Sequence, residues 1–132
     1  MARLVDDRTG LDLIPADECL ALLATARVGR LAIANGGSVD IFPVNYALDG
    51  RAIVFRTADG TKWRDGPGTG VAFEVDELDE EHHTGWSVVV HGRLEPVVPG
   101  TEGAVSPEPW ATGAKPHVLR IVPDTLTGRR IS

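Results

Sequence analysis

The chain has 132 residues, of which 42% are hydrophobic and 24% are charged, and its formal net charge at pH 7 is -6. This length suits one domain spanning residues 1–132, and the composition is that of a globular protein. The acidic balance argues against a nucleic-acid or anionic-membrane partner. No apolar run approaches the roughly 20 residues that span a bilayer, and the first residues lack an apolar signal region, so we expect a cytoplasmic protein.

The first predicted element is a helix in the stretch IPADECLALLATAR. Pro15 suits the first turn, Asp17 and Glu18 favour the positive end of the helix, and the apolar residues recur at helical spacing. Cys19 is the only cysteine, so it can form neither an internal disulfide nor a cysteine-based zinc site. We interpret it as a small buried core residue.

A series of strands with tight turns is predicted next. Residues 28–34 form an apolar strand that Asn35-Gly36-Gly37 follows, and these three tolerate the positive φ angles of a hairpin turn. The stretch SVDIFPVNYALDGRAIVFRTA holds two more strands joined at Leu48-Asp49-Gly50. Pro43 cannot donate to a strand ladder, which predicts an edge strand or a bulge at this position.

The second half of the chain adds strands in GVAFEVDELD and GWSVVVHGRLEPV, and a closing strand in HVLRIVPDTLTGRRI. We interpret the acidic residues 76–81 as a solvated connection, since they lack the spacing of a calcium loop. Residues 96–116 are rich in proline and glycine and predict a loop. Five or six short strands after one helix favour an antiparallel barrel with the helix over an opening, and a large ligand on the rim or at a subunit interface.

The stretch FRTADGTKW has the composition of an anion site. Arg56 and Thr57 end a strand, and residues 59–62 are predicted to begin a short helix, whose unpaired N–H groups favour a phosphate. Thr61 and Lys62 add a hydroxyl and a positive charge. The alternative is a helix start with solvated charges.

Two further segments offer ligand contacts. In FPVNY, Asn45 provides donors and acceptors beside the irregular backbone at Pro43, which suits a flat heteroaromatic ring with polar edges; the alternative is a plain edge strand. Trp86 can stack on a ring or cap the core, and Ser87 faces the other way. The adjacent histidines His82 and His83 have no third ligand at metal spacing, so no metal site is predicted.

The order of these motifs resembles the pyridoxamine 5'-phosphate oxidase-like family of flavin-binding split barrels, in the branch of flavin/deazaflavin oxidoreductases. The resemblance covers residues 18–93, with a weaker echo in the last strand. It implies a mainly β fold, a six-stranded antiparallel split barrel with an N-terminal helix and a short additional helix. It also implies a homodimer with FMN at the subunit interface.

The resemblance carries over to particular residues. The segment like FPVN lies along the isoalloxazine ring, the FRT and GTK segments hold the flavin phosphate, and the TGWSV segment lies near the same site, from the partner subunit. The implied cofactor-binding residues are Pro43, Val44, Asn45, Arg56, Thr57, Thr61, Lys62, Trp86 and Ser87.

The resulting functional hypothesis is an FMN-binding oxidoreductase that transfers hydride between flavin N5 and a small molecule, with no catalytic side chain assigned. One alternative is a reductase that uses the deazaflavin F420, and another is a flavin carrier or sensor without turnover. The C-terminal TGRRIS does not reproduce the basic and histidine residues with which pyridoxamine phosphate oxidases bind their substrate. Oxidation of vitamin B6 is therefore not expected.

Overall fold

The computed structural model describes residues 5–6, 10–57, 68–97 and 117–131. These ranges contain one helix and eight strands, so the predicted mainly β fold with an N-terminal helix is confirmed. The predicted helix start at 59–62 and most of the predicted loop at 96–116 lie outside them. The elements are β1 (Asp12–Ile14), α1 (Ala16–Leu23), β2 (Val28–Asn35), β3 (Ser38–Asn45), β4 (Ala47–Asp49), β5 (Ala52–Thr57), β6 (Gly70–Asp79), β7 (Thr84–Pro96) and β8 (His117–Ile131).

The strands form one antiparallel sheet whose two ends meet. The order is β3-β2-β6-β7-β8-β5-β4, and β1 joins it by pairing with β8. The first and last strands of this order, β3 and β4, are separated in the chain only by Tyr46. The sheet must therefore curl until its edges adjoin, and β3 also contacts β5 directly. With β3 and β4 taken as one bent strand, the barrel has the six predicted main strands, and the short β1 is an addition.

The predicted turns and the predicted edge strand are confirmed. Gly36 and Gly37 adopt φ angles of 55° and 90° between β2 and β3, and Gly50 adopts 61° between β4 and β5. Glycine adopts such angles at no steric cost, which is why these positions reverse the chain tightly. Pro43 lies in β3, which is the first strand in the sheet order and pairs only with β2. Because β3 has no second neighbouring strand in this order, the missing N–H of Pro43 is tolerated there.

The barrel interior is packed with aliphatic and aromatic side chains, and Cys19 and Leu23 of α1 join this core. Gly29 lets the ring of Phe73 pass, because a Cβ atom there would lie 2.2 Å from Phe73 Cζ. Tyr46 meets Phe73 edge to face, with ring centroids 5.1 Å apart, and its hydroxyl donates to the carbonyl of Leu23 at 2.6 Å. This bond fixes the end of α1 to the bend between β3 and β4. Cys19 is fully buried, as predicted.

Two sequence predictions need correction. The acidic residues 76–81 are not a connection throughout, because β6 continues to Asp79 and its last four residues pair with Thr84 to Ser87 of β7. The turn is confined to residues 80–83, where His83 has a φ of 55°. Residues 76–79 are extended because the long β7 offers hydrogen-bonding partners along their whole length. The helix is also shorter than its sequence pattern, since it ends at Leu23.

No helix in the described ranges is both long enough and apolar enough to cross a membrane.

Candidate functional site

The alternation of side chains along β3 and β5 sorts the predicted site residues onto two faces. Pro43 and Asn45 lie on the outer face of the barrel, whereas Val44 between them points into the core and is 7% exposed. On β5, Arg56 lies on the outer face and is half-buried, whereas Thr57 points inward and is 4% exposed. Arg56 and Thr57 thus do not present their side chains to the same surface.

Closure of the barrel brings the end of β3 to the end of β5. The β4–β5 ladder pairs Ala47 with Val54, and continuing this antiparallel register by two residues places Asn45 opposite Arg56. The direct contact between β3 and β5 agrees with this placement. The β3–β5 corner, defined here as residues 43–45 together with 56 and 57, therefore unites two segments that are separate in the sequence.

Asn45 gives this corner an enclosed polar group. It lies opposite Val28 of β2, and its side-chain nitrogen Nδ2 is enclosed. An amide with donor and acceptor groups at this position is chemically compatible with the polar edge of a flavin ring.

Thr61 and Lys62, the other two residues of the predicted phosphate site, lie outside the described residues.

Trp86 and Ser87 are not brought to the β3–β5 corner of their own chain. Ser87 lies on the outer face, between Asp76 of β6 and Arg129 of β8. Asn45 on β3 and Ser87 on β7 are separated by three strand spacings across the sheet, a distance of about 14 Å. Trp86 points to the opposite face, as predicted, and is 9% exposed. Within one subunit, these two residues therefore lie apart from the β3–β5 corner.

A charged cluster on the outer face was missed by the sequence predictions. Arg30, which pairs with Pro43 across β2 and β3, has its Nη1 atom 3.1 Å from Glu74 Oε1 and 3.4 Å from Asp76 Oδ2. Burial raises the pKa of Glu74 to about 7, the hydrogen bond and charge of Asp76 act in the same direction, and Arg30 opposes them. The sequence contains one signal for this cluster: Glu74 and Asp76 are two residues apart on one strand, so their side chains lie on the same face. The sequence does not show that Arg30 lies beside them.

No group of three or more His, Cys, Asp or Glu side chains in the described part of the chain is arranged to hold a metal ion.

An antiparallel barrel closed by one strand that bends from one sheet edge to the other belongs to the class of split β-barrels. Residues 15–130 match the family model described as pyridoxamine 5'-phosphate oxidase, and the chain belongs to this family. The resemblance recognised in the sequence and the predicted fold are both confirmed.

Three similar proteins illustrate this relationship. An uncharacterized protein of Mycobacterium tuberculosis is 34% identical over 124 residues, covering 87% of this chain and 82% of its own. The crystal structure of a putative pyridoxamine 5'-phosphate oxidase from Corynebacterium glutamicum is 34% identical, covers 92% of this chain and 98% of that chain, and superposes with a TM-score of 0.80. The structure of the FAD binding protein from Mycobacterium smegmatis is 32% identical in sequence and has a TM-score of 0.71. The match covers 91% of this chain and 97% of that chain.

Proposed function

We propose that this protein binds a flavin at the β3–β5 corner and acts as a flavin-dependent oxidoreductase on a small molecule. The observation that supports this most strongly is the contact between β3, which ends at Asn45, and β5, which carries Arg56, in a barrel of this family. The core favours an outer site, since its largest side chains are fully buried and fill the interior.

The residues of the corner have different roles in this proposal. Arg56 provides the guanidinium donors that grip a phosphate, with Thr61 and Lys62 following in the sequence. Pro43 and Asn45 lie along the ring, the first as an apolar surface and the second as a hydrogen-bond donor. Val44 and Thr57 support the corner from the core side, because both are buried.

The bound flavin supplies the hydride chemistry, which the protein need not provide. The chain holds the phosphate at Arg56, orients the ring edge through Asn45 and excludes water from one ring face with Pro43. None of these roles requires a side chain to accept or donate a proton, so no catalytic residue is assigned.

FMN is the flavin that the sequence resemblance favours, and FAD is the second candidate because a similar protein from Mycobacterium smegmatis is an FAD binding protein. F420 remains an alternative cofactor. Its acidic tail requires a basic groove, for which a chain of net charge -6 offers little surplus positive charge.

We also propose that the protein is a homodimer that completes this site. Val39 and Ile41 on the outer face of β3 are each 65% exposed, close to Pro43 on the same strand. Val39 borders a shallow groove of about 380 Å³ that also includes Ala32 and Ala34. Exposed apolar side chains that adjoin one another favour a protein partner. In such a dimer Ser87 of one subunit, on the outer face, would have access to the corner of the other, and Trp86 would support this strand from the core side.

The test is flavin retention after desalting. Purified protein is incubated in parallel with FMN, FAD and F420, passed over a desalting column, and its visible absorption is recorded. Retained FMN or FAD that NAD(P)H reduces, and that passes the hydride on to an electron acceptor, supports the oxidoreductase. A retained but inert flavin would favour the carrier or sensor, and retention of F420 alone would replace flavin as the cofactor.

Arg56→Ala locates the site. Loss of a charged hydrogen bond costs about 1.5–3 kcal/mol, which weakens flavin binding by about 10- to 150-fold. Arg51→Ala is the matched control, because Arg51 is an exposed arginine at the opposite end of β5. Equal retention by both variants would contradict the assignment of the phosphate to Arg56.

A further inference from the structure

The charged cluster on the outer face adjoins the apolar surface of the proposed dimer. One row across β3, β2 and β6 consists of Pro43, Arg30 and Glu74, which lie opposite one another. The next row of the same face, two residues away on each strand, consists of Ile41, Ala32 and Ala72. Residues two apart on a strand are separated by about 7 Å, so a partner that covers the apolar row also reaches the charged row.

The apolar row has a shape that suits contact between two copies of this chain. Val39 and Ile41 form a ridge on β3, where each is 65% exposed. Beside this ridge, the small side chains of Ala32 and Ala72 line the shallow groove of about 380 Å³. Ridge and groove belong to one face of one chain, so a twofold pair can place the ridge of each copy in the groove of the other.

The cluster carries one surplus negative charge when both of its acids are ionised. Glu74 and Asp76 share the guanidinium of Arg30, whose Nη1 atom lies 3.1 Å from the first carboxylate and 3.4 Å from the second. On β7, Val89 lies opposite Glu74, and His91 is the neighbouring titratable residue on this face. Water can solvate the surplus charge in a single subunit, because the two acidic side chains are 32% and 30% exposed and Arg30 is 57% exposed.

A second copy over this face would remove that water. Loss of water disfavours an ionised acid, and twofold contact brings a second cluster with the same surplus charge to the interface. A proton on Glu74 removes the surplus and leaves Arg30 paired with Asp76. The cluster is already close to this change, because burial and the neighbouring Asp76 raise the pKa of Glu74 to about 7.

We propose that a second copy of this chain docks over both rows and that each subunit takes up a proton at Glu74 when the dimer forms. The inference rests on the proposed homodimer, to which it adds the position of the interface and a dependence on pH. Since the dimer completes the proposed flavin site, the same proton links flavin binding to pH.

The direction and size of the effect follow from the linkage between proton uptake and association. Because docking raises the pKa of Glu74 above its value of about 7 in the free subunit, the dimer has its full affinity at pH 6 and loses affinity as the pH rises to 8. For an increase of about one unit, association weakens roughly five-fold per subunit over this interval, so the Kd of the dimer rises roughly 25-fold.

The test is sedimentation velocity of the full-length protein, in the flavin state in which it purifies, over a dilution series at pH 6 and at pH 8 with constant ionic strength. We expect a dimer Kd at least about 10-fold higher at pH 8. If the wild type stays dimeric throughout, the double variant Val39→Ala with Ile41→Ala is used, because it removes apolar contact area and brings the Kd into range. An equal Kd at both pH values, or a double variant that does not dissociate, would overturn the inference.

Substitutions locate the proton. Glu74→Gln keeps the size of the side chain without its charge, so its Kd should be the same at both pH values and close to that of the wild type at pH 6. Glu95→Gln, which removes the carboxylate paired with Arg120 at 3.3 Å, is the matched control and should keep the wild-type pH dependence. His91→Gln should keep it too. Loss of the pH dependence in His91→Gln together with its retention in Glu74→Gln would assign the proton to His91 and overturn the inference.

Failure of this inference is distinguishable from failure of the proposed dimer. A wild type that is monomeric at both pH values up to about 100 µM would contradict the dimer, and the inference with it. A dimer whose Kd is equal at both pH values leaves the proposed dimer in place and overturns only the proton uptake.

Discussion

Glu74 should make the stability of this protein depend on pH. Its carboxyl lies between Arg30 and Asp76, and burial and the neighbouring acid raise its pKa from 4.5 to about 7. Because the folded pKa is above the unfolded one, this contribution to stability is fully present below about pH 4.5 and is lost as the pH rises through about 7. The contribution of Glu74 to wild-type stability should therefore fall across this interval.

The size of the effect follows from the pKa change and the exposure of the side chain. A change from 4.5 to about 7 corresponds to an upper bound of roughly 3 kcal/mol. The side chain of Glu74 is 32% exposed, so solvent screening reduces this to about 1–2 kcal/mol. Glu74→Gln is an uncharged equivalent that keeps a donor for Asp76, and it should be more stable than the wild type at pH 8 by this amount and nearly equal to it at pH 4.5.

The measurement is urea unfolding of both proteins at several pH values between 4.5 and 8. The difference between the two stability curves isolates Glu74 from the other titrating groups. Glu95→Gln is the control, because it removes a carboxylate that pairs with Arg120 at 3.3 Å elsewhere on the outer face. Parallel curves for wild type and Glu74→Gln over this range would refute the reasoning.

Two further substitutions test the packing of the barrel and the proposed dimer. Gly29→Ala should lower the free energy of unfolding by about 1–3 kcal/mol, because the added Cβ would lie 2.2 Å from the Phe73 ring. Gly70→Ala is the control and should change the free energy of unfolding little, because a Cβ there meets no atom within 4 Å. Equal urea unfolding curves for the two variants would contradict the packing of Phe73 against Gly29. Ile41→Glu should convert a wild-type dimer to monomer in light scattering at micromolar concentration, because it places a charge in the proposed apolar interface. A monomeric wild type would contradict the dimer, and a dimeric variant would move the interface away from β3.

Local chemistry determined much of this protein from its sequence. The turns at Gly36, Gly37 and Gly50 follow from the positive φ angles that glycine tolerates, and β3 is an edge strand because Pro43 has no N–H to donate. Alternation along the strands predicted that Trp86 and Ser87 face opposite sides. The order of the motifs was specific enough to indicate the family before any coordinates were considered.

Only the tertiary structure decided which of these segments meet. The approach of Asn45 to Arg56 depends on the closure of β3 against β5, and the Arg30–Glu74–Asp76 cluster depends on the register of β2 against β6. Turns and alternation are set by neighbouring residues, whereas strand register and barrel closure result from packing the whole core, so no single stretch of sequence contains them.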